Sequence, residues 1–66
     1  MNVPCVIDNV ESARCYNRIA ILNLKEAINM IPEGDYRRGI MYYSLKVLKD
    51  IEDDYERVRK AMEGGQ

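Results

Sequence analysis

From Val10 onward the apolar residues recur at spacings of three, four and seven: Val10, Ala13, Ala20, Leu24, Ala27 and Ile31, with Tyr16 and Ile28 widening the stripe. That period belongs to one face of an α-helix packed on a core. Asp8 stands just ahead of the stripe and Glu11 follows it at capping-box spacing. A helix is therefore predicted over 9–31, ended by Pro32. Residues 1–7 predict an extended arm, because Pro4 disfavours helix at Val3. Val3, Val6 and Ile7 make the arm apolar, so it should pack against something. Pro32-Glu33-Gly34-Asp35 reads as a turn, with Asp35 as a second N-cap. The next helix is predicted over 36–63 on the face Tyr36, Ile40, Tyr43, Val47, Ile51, Val58 and Met62, with Leu48 and Tyr55 alongside. Gly64 and Gly65 stop it and leave a tail, 64–66. Gly39 is discordant inside a helix, which predicts a close approach of the two helices there. A short turn between two long periodic segments makes them antiparallel neighbours. The predicted fold is a single all-α domain, an antiparallel two-helix hairpin with an extended N-terminal arm.

One partner helix does not use up the apolar surface. On the first helix, Cys15, Ile19 and Leu22 form a second stripe away from the expected seam; on the second, Tyr42 and Leu45 fall outside the main face. A contiguous second stripe on a long helix marks another protein surface. Three occupants compete for it: a second copy of the chain, the arm folded back, or a different protein. The second copy leads, giving a homodimer that associates as a helical bundle.

Composition narrows the alternatives. At 66 residues the chain buries a marginal core, which disulfides, a metal or self-association must supplement. It has two cysteines, Cys5 and Cys15, and no histidine, so neither a disulfide framework nor a zinc site can be assembled. No secretory signal is read at the start, and no apolar run approaches a membrane span, so a soluble, cytoplasmic protein with reduced thiols is expected. The net charge of -1 fits neither a polybasic nucleic-acid coat nor an acidic mimic.

Candidate chemistry is sparse. Without histidine there is no base for a serine or cysteine nucleophile, and Cys15 lies too deep in the helix for strong activation by its N-terminus. Asp50, Glu52, Asp53 and Asp54 cluster, but the lysines and arginines around them read as a solvated ion-pair face. Gly64-Gly65-Gln66 matches the catalytic tripeptide of peptide-release factors, yet after a helix it reads as a cap and tail. No catalytic residue, cofactor or metal is expected. Arg37 and Arg38 beside Tyr36 form a basic-aromatic corner of the kind that draws nucleic acid when a dimer doubles it, a minor alternative given the negative net charge.

Gly34-Asp35-Tyr36-Arg37-Arg38-Gly39-Ile40-Met41-Tyr42-Tyr43 resembles the start of the second helix of a tetratricopeptide repeat, which commonly reads Gly-Asp-Tyr, two charged residues, a small residue, Ile and paired tyrosines. Ala20, Asn23, Leu24 and Ala27 fall near that family's first-helix pattern. Pro32 and Glu33 are extra, Gly39 replaces the usual alanine, and the unit occurs once, without a repeat period. The resemblance covers about half the chain and implies a binding role, because an isolated unit of this type cannot bury its faces alone. The leading functional expectation is a small non-enzymatic interaction or regulatory protein acting as a homo-oligomeric bundle. The alternatives are an inhibitor or adaptor of the phage or mobile-element kind that docks on a larger protein, and a small dimeric DNA-binding regulator.

Overall fold

A computed structural model describes residues 3–64. It contains α1 (Val3–Met30) and α2 (Tyr36–Gly64), packed side by side in antiparallel, with no strand among the described residues. The expected all-α hairpin is what the chain forms.

Its N-terminal segment is not an extended arm. Met1 and Asn2 lie outside the described residues, but α1 already runs from Val3 and absorbs the rest of the predicted arm. Pro4 sits in the first turn, where a helix has no partner for backbone N–H groups and a missing one costs nothing. Val6 and Ile7 are half-buried as part of α1, whereas Asp8 is an exposed interior position rather than a cap. A segment continuous with α1 cannot fold back over α1's own outer side, which removes one of the three occupants considered for that stripe.

The corner is built from local chemistry. The Asp35 N–H donates to Pro32 O at 3.2 Å, and Gly34 carries φ 89°, the left-handed value that the third position of a type II turn demands. Asp35 then caps α2: its Oδ1 accepts from the Arg37 backbone N–H at 2.9 Å. Gly39 does not serve a close approach. It is exposed, and a Cβ built on it meets nothing within 4 Å.

The molecule is a rod with extents of 50 × 15 × 14 Å. Its radius of gyration, 15.3 Å, exceeds the roughly 11 Å of a compact chain of this length. Two layers of helix leave little interior. Ile28 (2% exposed) and Leu45 (7%) are the buried apolar residues among those described, and no large side chain is wholly enclosed. Ile21, Leu24, Met41 and Leu48 are half-buried around them.

Candidate self-association surface

The line of contact between the helices decides which apolar residues remain outside. Asn17, also buried, donates from Nδ2 to Leu48 O across the seam at 3.0 Å. Arg14 and Arg18 both donate from Nε to Glu52 Oε1, at 2.6 and 2.9 Å, and Arg14 also pairs with Glu56. Arg59 Nε lies 2.8 Å from Glu11 Oε1, an ion pair whose alignment falls short of a hydrogen bond. The hydrogen bond from Arg14, less some desolvation, holds the Glu52 carboxyl below its ordinary range, and the same bond raises the Arg14 guanidinium.

These ion pairs fix one edge of the seam. At 3.6 residues per turn, Arg14, Arg18 and Lys25 share one flank of α1, and Ala13, Ala20 and Ala27 the other. On α2, Glu56 and Tyr42 lie on one flank, while Ile40, Val47, Ile51 and Val58 lie on the opposite one. Because Arg14 meets Glu52 and Glu56, the alanine flank of α1 must run beside the Ile40–Val58 flank of α2. The hairpin therefore has an ionic broad side and an apolar one.

The apolar side is largely bare. Tyr36 (77% exposed), Tyr43 (69%), Ile40, Val47 and Val58 all stand in solvent, although the periodicity of α2 made them its expected core face. Tyr16, also read as widening the α1 core stripe, is exposed on the same side, as is Ala20. Apolar periodicity reports where a helix is most apolar, and the intrachain neighbour sits to one side of that direction. The side facing α1 is instead marked by Leu45, Leu48, Glu52 and Tyr55, two of which were expected to lie off the core face or in solvent.

The five residues expected at the interface do not share a surface. Cys15, Ile19 (49% exposed) and Leu22 (61%) lie on the outer side of α1, joined there by exposed Met30. Tyr42 is half-exposed on the ionic side, with the Arg38 guanidinium 5.8 Å from its ring centre. Leu45 is a correction: it is core, packed in the seam, and unavailable to an outside partner. Tyr42 and Leu45, with Lys25, Ile28 and Asn29, line an open hollow of about 200 Å³.

The corner arginines are occupied within the chain. Arg37 pairs with Asp35 at 2.6 Å, pulling that carboxyl down. Arg38 stacks on Tyr42, donates to Ile31 O at 3.4 Å, and lies 3.9 Å from Glu33. Among the described residues no three potential metal ligands gather around one point, and Asp54 of the acidic cluster pairs with Arg57. No described helix is long and apolar enough to cross a membrane. No protein-family model matches the chain, and no curated protein or solved structure does either.

Proposed function

We propose that this chain is a small, non-enzymatic protein–protein interaction protein of regulatory type, working as a homo-oligomeric helical bundle with a dimer as its basic unit. The imbalance between core and surface supports this reading. Among the described residues, two buried apolar residues are set against ten large apolar residues left exposed. Such a core is far smaller than a domain of this length ordinarily needs, and self-association is the remedy its composition leaves available. The test is the solution mass by light scattering behind a sizing column, with reductant present, at low and high salt. A mass of two chains, or a multiple of two, supports the reading; a folded monomer across the accessible concentration range overturns it.

A second reading rests on the outer stripe of α1. Ile19, Leu22 and Met30 point away from α2 and are separate from the apolar broad side, so a bundle that covers one leaves the other open. That stripe suits a larger protein partner, as an adaptor or inhibitor would require. The geometry adds no support for DNA binding at the corner, where Arg37 is tied to Asp35 and Arg38 lies 3.9 Å from the exposed Glu33.

A further inference from the structure

We infer that two copies of the chain pair through the apolar broad side, with the ridge Ile40–Tyr43–Val47 of each α2 seated over the alanine flank of the other copy's α1, about a two-fold axis parallel to the helices. This rests on the self-association reading and adds which face is used and how the copies are turned.

Surface area is the first argument. The chain exposes 5055 Å². A compact monomer of its mass, 7.7 kDa, is expected to expose about 4,300 Å². The surplus of about 700 Å² approaches the roughly 800 Å² that each partner contributes to a standard interface. The rod is thus short of cover by about one partner's worth of surface.

Charge is the second. A symmetric interface brings a patch against itself, so a charged patch repels its own copy. The α1 half of this side, Ala13, Tyr16, Ala20, Asn23 and Ala27, carries no charge; on the α2 half the ridge Ile40–Tyr43–Val47 is uncharged, with Asp50 at its outer edge and Asp54 paired with Arg57 at 3.5 Å. The opposite side carries Arg14, Arg18, Lys25, Glu52 and Glu56, most of whose charges are answered within the chain.

Shape and register are the third. The cross-helix pairs 14–52, 17–48 and 18–52 place residue n of α1 level with about residue 67 − n of α2. Ile40 is thereby level with Ala27, and Val47 with Ala20. A two-fold axis along the helices keeps that level, sets each α2 antiparallel to the other copy's α1, and brings the bulky residues of one over the small residues of the other. The contact is self-complementary, and the result is a four-helix bundle with both corners at one end.

The experiment compares Ile40→Glu/Val47→Glu with Ile19→Glu/Leu22→Glu by light scattering, with helix content followed by far-ultraviolet circular dichroism. The expected result is a two-chain mass for the parent and for the α1 outer-stripe variant, and a one-chain mass for Ile40→Glu/Val47→Glu. A parent dimer that survives Ile40→Glu/Val47→Glu and is broken by Ile19→Glu/Leu22→Glu overturns the assigned face while leaving self-association standing. A monomeric parent removes self-association itself, and the face with it. Should Ile40→Glu/Val47→Glu lose its helices, a short bis-maleimide decides the matter on Val47→Cys and Leu22→Cys, each with Cys5→Ser and Cys15→Ser. Linked dimers from Val47→Cys alone support the face; linked dimers from Leu22→Cys alone overturn it.

Discussion

The half of the hairpin next to the corner and the half away from it are held together by a different balance of forces. Near the corner, Ile28 and Leu45 are buried among Ile21, Leu24, Met41 and Leu48. Away from it no apolar residue is fully buried: Val6, Val10, Ile51, Tyr55 and Met62 are half-buried, and the seam is also crossed by Arg14, Arg18, Glu52, Glu56, Glu11 and Arg59. Apolar packing has no charge to titrate or screen, and each buried methylene contributes about 0.8 kcal/mol. Ion pairs this close to solvent contribute little to stability but specify which edges meet. The corner half, which holds both fully buried apolar residues, therefore supplies more of the cohesion, and the distal half more of the alignment.

That division can be broken from either side. Leu45→Ala strikes the corner half and should have the largest effect, about 2–4 kcal/mol of destabilisation, because it empties the centre of a core with few members. Urea unfolding monitored by circular dichroism, at fixed protein concentration, measures it. Asn17→Ala acts where the halves join and leaves the Leu48 carbonyl without its cross-helix donor; a loss of about 1 kcal/mol is expected in the same assay. Gly39→Ala sharpens the comparison in the other direction. The added methyl meets no neighbour, so helix propensity alone should raise stability by up to about 1 kcal/mol, read as a higher thermal midpoint.

Glu52→Gln strikes the distal half and should have the smallest effect at neutral pH. Because Arg14 holds the folded carboxyl below its ordinary value of 4.5, the stabilisation is present above that pH and is lost as pH falls through the lower folded value. Stability measured across the acid range should fall less steeply for Glu52→Gln than for the parent. Raised salt should narrow the gap between the two proteins near neutrality. If Glu52→Gln costs more than Leu45→Ala at neutral pH, the assignment of cohesion to the corner half is wrong.

The hairpin itself is legible in the sequence because its signals are local: two long periodic segments, and Pro32, Gly34 and Asp35 between them. The start of α1 is less so. Pro4 disfavours a helix that precedes it but is welcome in the first turn of one that follows, and the residue alone does not say which applies. The seam was harder still. Arg14 and Glu52 look like solvated charges until a partner 38 residues away is known to face them. Leu45 sits nearly opposite Val47 on α2, so no single apolar stripe can include both. The candidate surface was legible only in part. Excess apolar residues on α1 reveal that something is left uncovered, but periodicity places Tyr36, Ile40, Tyr43 and Val47 on the inside, because it cannot distinguish a face that has an intrachain neighbour from one that has none.

The Asn17–Leu48 hydrogen bond also bears on how the rod can move. Sliding α1 along α2 by part of a helical turn would carry the Asn17 amide off its carbonyl, and a full turn, about 5.4 Å, would also part Arg14 and Arg18 from Glu52. An amide left without its carbonyl costs about 1–3 kcal/mol, a penalty repeated at every intermediate setting. Ratcheting is thus suppressed. The hairpin therefore keeps one register, and with it one length, close to 50 Å along its axis.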